Sequence, residues 1–305
     1  MKPVAVIVGS DGQDGQLLKK KLKSIGYSIE KITKDTMDIT NPKQVNELIS
    51  RIKPKEIYFL AAFHHSSEEK IKNDSKLFSK SIDVHVIATI NFLDAITFYS
   101  PKSRFFYSSS CMVFSPSNML QTEETELKPE SVYGISKAAG MMACQYYRKK
   151  MNVYASIGIL YNHESSLRTI NFVSSKIISA AAKIAREGKG CLKLGNLYAQ
   201  VDWGYAPDYV DAMYRILKLD KPNNFIIATG ESHSVEEFSE IAFDYFGLNY
   251  RKYVKQDKSV LYRENLKRIG DSSRLREKTG WSPTISFKTM ITEMAKKEAE
   301  SLNEE

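Results

Sequence analysis

Cysteine is scarce. Cys111, Cys144 and Cys191 are the only three in 305 residues, and they stand far apart. That spacing offers neither a disulfide framework nor a metal motif, and it fits a reducing compartment. Long runs of like charge are also lacking. Lys and Arg number 44 against 36 Asp and Glu, a formal charge of +8, but the lysines are scattered. This balance favours small anions such as phosphorylated ligands. Without aromatics interleaved in a basic stripe it gives no nucleic-acid surface. No apolar run approaches the length of a membrane-spanning helix, and Met1-Lys2-Pro3 enters a strand without a signal-peptide apolar region. The expectation is a cytoplasmic protein with no membrane or nucleic-acid partner. Repeats and low-complexity segments are missing too. What remains, 42% hydrophobic and 26% charged residues, suits a globular chain of one large domain or two coupled ones.

The first informative stretch is Val4–Val8, a continuous apolar run of the kind found in strands buried on both faces. Gly9-Ser10-Asp11-Gly12-Gln13-Asp14-Gly15 follows, and Gln16–Ile25 reads as helix. A GxxGxxG turn between strand and helix cradles a dinucleotide pyrophosphate. Gly9 turns the chain, Gly12 lets the phosphates approach, Gly15 lets helix pack on strand, and the helix start, with Gln13 and Asp14, presents free N–H groups. A second strand, Tyr27–Ile32, ends in Thr33-Lys34-Asp35. An acid there would hold a ribose 2′-hydroxyl. Thr33 with Lys34 instead favours a 2′-phosphate, hence NADP, with NAD as the alternative. Asp38 is a candidate partner for the adenine amino group. The third strand, Glu56–Leu60, leads into Ala61 and Ala62, which are small enough for the cofactor to lie against Leu60 and its neighbours. Adjacent His64 and His65 do not converge, and no metal is expected.

Tyr133-Gly134-Ile135-Ser136-Lys137 opens a later helix, after a strand that ends in Tyr107-Ser108-Ser109-Ser110. Four residues apart, Tyr133 and Lys137 share one helix face. An ammonium beside a phenol favours the phenolate, so the tyrosine's pKa is expected to fall. With Ser109 or Ser110 holding a substrate oxygen, this is an acid–base device for a carbinol that loses or gains hydride. The elements alternate βαβαβαβαβ up to Val153–Leu160. This predicts a Rossmann-type, doubly wound parallel sheet over 1–165 plus about 200–228, with a smaller interleaved α/β substrate-binding domain over about 166–199 plus 229–305.

At these residues the chain resembles the extended short-chain dehydrogenase/reductase family, and within it the GDP-mannose 4,6-dehydratases and their sister GDP-4-keto-6-deoxymannose reductases. The resemblance runs through the Gly9–Gly15 turn, Leu60-Ala61-Ala62, and Tyr133 with Lys137. It continues in Tyr161-Asn162-His163-Glu164-Ser165, Asn171-Phe172-Val173, and Leu194-Gly195-Asn196-Leu197 leading to Asp202-Trp203-Gly204. It implies hydride transfer at C4 of a GDP-linked sugar. Tyr133 would be acid/base, Lys137 its activator, and Ser110 the residue at the C4 oxygen. Asn162, Asn171, Lys176, Lys193, Arg263 and Glu264 would line the nucleotide diphosphate. Ser109, Met112 and Glu164 would face the substrate, and His163 the cofactor. A homodimer or homotetramer pairing through the helix from Ser81 and the Tyr133 helix is implied as well. Four departures from the pattern stand out: Met112 stands where the dehydratases carry an acid, Val201 where an arginine precedes Asp-Trp-Gly, Arg168 alone where paired arginines follow Asn162–Ser165, and Ser175 where an arginine precedes Lys176. The reading is a 4-ketoreductase or 4-dehydrogenase. A true dehydratase with a relocated acid (Glu123, Glu124, Glu126, Tyr107 or His64), a 4-epimerase and a non-catalytic dinucleotide sensor are the alternatives.

Overall fold

The computed structural model describes residues 2–63, 74–257 and 267–304. Six strands form one parallel sheet in the order Ser28–Ile32, Val4–Val8, Glu56–Phe59, Arg104–Ser110, Tyr154–Leu160, Asn224–Ile227. The apolar runs fill its centre: every residue of Glu56–Phe59 is buried, while in the edge strand Ser28–Ile32 only Ile32 is. The chain begins at Val4–Val8, steps to one side for the second strand and crosses back for the third. The order therefore reverses at Val4–Val8, and in such sheets the crevice beyond that point is where ligands bind.

Helices cover both faces. One core holds Val45, Leu48 and Ile49 of helix Pro42–Ile52, Phe92 and Ile96 of Ala88–Tyr99, and Met141 and Cys144 of Val132–Lys150. On the opposite face lie Leu18 and Leu22 of helix Gln13–Ser24 and Val210 and Met213 of Ala206–Ile216. Leu275 and Trp281 join that second core, although the sequence reading assigned them to the substrate unit. A third core joins Ile177 and Ile184, Phe238 and Phe243, and Met290 and Met294 with Trp203, which the sequence reading had placed with the sheet. Caps define the helix starts. Asn41 accepts from the Lys43 and Gln44 amides with Pro42 in the first turn, Ser131 accepts from Gly134, and Ser234 forms a capping box with Glu237.

The helical stretch Asp74–Tyr99 is long and apolar enough to cross a membrane by length and composition, contrary to the sequence expectation. Half of its most apolar window is buried within the molecule. A π turn, Asp83–Ile87, interrupts it.

Candidate functional site at the strand-order reversal

Gly9 leaves the first strand with φ +86°, and a Cβ on it would lie 2.8 Å from the Ala61 nitrogen. Only glycine lets the turn lie this close to the end of the third strand. Gly12 differs: its backbone is extended, and a Cβ would meet nothing nearer than the Gly9 carbonyl at 3.6 Å. The space in front of Gly12 is thus open at the start of helix Gln13–Ser24, as a diphosphate cradle requires. Gly15 packs that helix on the Ser10 backbone. Lys34 is exposed at the end of the second strand. The Asp38 carboxylate accepts from both the amide and the hydroxyl of Thr40, which hold its pKa down.

Ser110 stands beside Tyr133, and its hydroxyl acts to lower the pKa of the phenol; the Ser110 oxygen accepts from the Met112 amide at 3.2 Å. Ser109 is not part of this site. It is 2% exposed, and its hydroxyl points at Met141 Sδ, because alternate strand residues face opposite sides. Lys137 is buried, donates to the Ser108 carbonyl at 2.8 Å and lies 5.7 Å from the Tyr133 ring centre. Its removal from water brings the ammonium down to about 7, against the pull of Asp14 and Cys144. Desolvation likewise raises Tyr133 well above its usual range. Cys111 and Asp14 add to this, and Arg168 and the Ser110 hydroxyl oppose it. The expected depression of the tyrosine is therefore not found: desolvation outweighs a lysine whose charge is turned to a carbonyl. As they stand, the groups present a neutral phenol able to donate a proton.

The Tyr161–Ser165 and Asp202–Gly204 motifs meet: Asn162–Glu164 pairs in parallel with Trp203–Tyr205. Asp202, buried, accepts from Thr229, Gly230 and Gly270 and ties three loops together. His163 Nε2 meets the Asp14 carboxylate at 3.0 Å, while its Nδ1 meets the Tyr161 carbonyl at 2.7 Å. Gln13 donates to the His163 carbonyl, Ser165 donates to Gln13, and Arg168 also bonds that carbonyl. Burial alone would raise Asp14, but His163, then Arg168 and Gln13, outweigh it and bring it to about 2. The Gly9–Gly15 turn is thus clasped to the loop that leads into helix Val173–Glu187.

Glu164 is buried, accepting from Arg168 and Ser174 at 2.9 and 2.8 Å; its carboxylate is engaged by the protein. Asn162 and Asn171 are exposed, Lys176 sits in the first turns of helix Val173–Glu187, and Lys193, exposed, pairs with Asp257 at 3.5 Å. Arg263, Glu264, His64 and His65 lie outside the described residues. Glu123 accepts from the Ile226 amide, Glu124 pairs with Arg274 and Glu126 with Lys128. Tyr107 donates to the His85 carbonyl. Sequence reasoning missed His85, Arg168 as a clasp member, and Ser165. A lone histidine in an apolar helix gave no signal, and the clasp joins residues 150 apart.

A family model described as GDP-mannose 4,6 dehydratase matches residues 28–294. The chain belongs to the GDP-mannose 4,6-dehydratase family. GDP-mannose 4,6 dehydratase 2 of Arabidopsis thaliana is 31% identical over 331 residues, covering 98% of this chain and 87% of its own. The Caenorhabditis elegans GDP-mannose 4,6 dehydratase 2 is 32% identical, covering 96% and 88%. Among solved structures, Pseudomonas aeruginosa RMD complexed with NADPH superposes with a TM-score of 0.85 at 18% identity, covering 98% of this chain and 100% of its own. The dTDP-glucose 4,6-dehydratase of Bacillus anthracis in complex with NAD gives 0.82 at 19%, covering 99% and 98%. These likenesses show the fold, the Rossmann-type α/β arrangement with its parallel six-stranded sheet.

Proposed function

We propose that this member of the family moves hydride at C4 of a GDP-linked hexose, using NADP(H), in a net reduction or oxidation and not a full 4,6-dehydration. The observation that carries the reading is Tyr133 with Lys137 Nζ 5.7 Å from its ring centre and Ser110 beside it, next to Met112, whose amide donates to Ser110, where an acid would stand. When bound, the nicotinamide supplies or accepts the hydride. Ser110 orients the C4 oxygen, and Tyr133 gives up or takes the proton at that oxygen. Lys137 supplies charge from below. The open space before Gly12 and the helix start hold the diphosphate, and Lys34 meets the 2′-phosphate. Leu60, Ala61 and Ala62 border the ribose. Asn162, Asn171, Lys176 and Lys193 hold the GDP moiety in a reaction placed in the cytosol.

Dehydration further requires removal of the C5 proton and protonation of the departing C6 hydroxyl. A thioether has no titratable proton and accepts hydrogen bonds poorly. The engagement of Glu123, Glu124 and Tyr107 elsewhere supports the reading. One observation favours the second reading, a complete 4,6-dehydratase: relatives so named align over 98% of the chain. Incubation with GDP-mannose and NADP in D₂O, followed by mass spectrometry, separates the two. Hydride transfer without loss of water is expected; loss of water with deuterium at C5 decides for the dehydratase. Lys34→Glu should shift cofactor preference from NADP toward NAD, and an unchanged preference removes Lys34 from the cofactor site.

A further inference from the structure

His85 is fully buried in the π turn of the long helix and touches three elements around Tyr133. The Phe63 amide, just beyond Leu60-Ala61-Ala62, donates to His85 Nε2 at 3.0 Å. That nitrogen must be the unprotonated one, so Nδ1 carries the proton and donates to Ser136 Oγ at 2.7 Å. The Ser136 hydroxyl in turn donates to the Tyr133 carbonyl at 3.0 Å. The imidazole also stands edge-on to the Tyr133 ring, with centroids 5.3 Å apart and planes at 90°. The His85 carbonyl accepts from Thr89 at 2.9 Å and from Tyr107 at 3.2 Å. An α-helical ladder supplies no such anchor on its own; π turns recur at functional positions because they redirect a residue in this way.

We propose that His85 is a positioning residue for hydride transfer. It fixes the plane of the Tyr133 ring and locks the start of the tyrosine helix to the segment that borders the cofactor, with the proton on Nδ1. The inference rests on the reading of Tyr133 as the acid–base group. The chain of donors has one direction, from Phe63 N–H to Nε2 and from Nδ1–H through Ser136 to the Tyr133 carbonyl. A replacement must therefore offer an acceptor at one end and a donor at the other. A glutamine amide offers both, asparagine reaches only the Ser136 side, and phenylalanine fills the space with neither.

The test compares His85→Phe, His85→Asn, His85→Gln and Ser136→Ala with the unmodified protein and with Tyr133→Phe, all loaded with NADP and mixed with GDP-mannose. Hydride transfer is followed by nicotinamide absorbance. A displacement on the order of 1 Å at a reacting group costs about 10²-fold. His85→Phe is therefore expected to lower kcat by ~10–100-fold with KM and NADP affinity little changed. Glutamine should restore most of that rate, asparagine less, and Ser136→Ala should fall between. A second readout needs no turnover. In protein labelled with ¹³C at tyrosine Cζ, the resonance missing from Tyr133→Phe is expected to shift or broaden in His85→Phe and return in His85→Gln. If His85→Phe fails to fold, Ser136→Ala, which removes only a hydroxyl, carries the test. Unchanged kcat and an unmoved Tyr133 resonance in either variant overturn the proposal. Near-normal turnover of Tyr133→Phe overturns the functional reading instead, a separate result.

Discussion

At the scale of single residues, Lys137 sets the strongest test. Its folded pKa of about 7 lies below the 10.5 of the free side chain, so between these values the folded protein binds fewer protons than the unfolded chain. Stability should then rise as pH climbs from about 7 to 10.5 and level off above. In Lys137→Met that rise in the thermal midpoint should vanish; a rise that persists belongs to another group. Tyr133→Phe is expected to keep its fold and its NADP affinity but lose about 10²–10⁴-fold in hydride transfer, measured by nicotinamide absorbance. The tyrosine–lysine spacing was legible in the sequence because helical periodicity alone puts the two on one face. Their acidities were not, since these depend on how much water the fold removes. Nor was the choice of Ser110 over Ser109, which turns on strand phase.

At the scale of elements, the tyrosine helix owes its place to close approaches. A Cβ on Gly134 would stand 2.2 Å from the Met112 carbonyl oxygen, and one on Gly140 would stand 2.2 Å from the Tyr107 hydroxyl. At Gly134 the obstacle is backbone and cannot swing aside. Gly134→Ala should therefore cost about 1–3 kcal/mol in denaturant unfolding and displace Tyr133, lowering hydride transfer as well. Gly12→Val should do the reverse, leaving stability near that of the parent while NADP no longer binds, because only ligand space is filled. Calorimetric titration with NADP alongside unfolding curves distinguishes the two patterns. The alternation of strands and helices was readable from apolar runs and glycine punctuation. The π turn at Asp83–Ile87 was not, and neither was the pairing of Asn162–Glu164 with Trp203–Tyr205, which joins segments distant in sequence.

For the whole molecule, two helices leave apolar side chains uncovered: Ile87 and Phe98 on the long helix, and Ile135, Met142 and Tyr146 on the tyrosine helix, with Phe98 72% and Tyr146 58% exposed. The last three recur at the spacing of one helical face. We propose that a second copy covers this surface, giving a homodimer or a larger homo-oligomer. Sedimentation velocity should find a dimer or larger species, and Met142→Glu combined with Tyr146→Glu should yield monomer. A monomer at every concentration of the unmodified protein removes the proposal.

Leu275 and Trp281 carry a consequence for how the molecule is made. The indole of Trp281 donates to the Asp208 carbonyl at 2.8 Å, and Arg215 bonds the Thr279 carbonyl, so one side of the parallel sheet is finished by residues that follow its last strand, Asn224–Ile227, in the chain. The sheet is therefore expected to close only when this later segment docks, through contacts of long sequence separation. A fragment ending at residue 228 holds all six strands, yet it is expected to show strand and helix signal by circular dichroism without a cooperative melt. Adding a synthetic peptide spanning 267–284 in trans should recover part of that cooperativity. A sharp transition in the fragment alone would mean that the sheet needs no such closure.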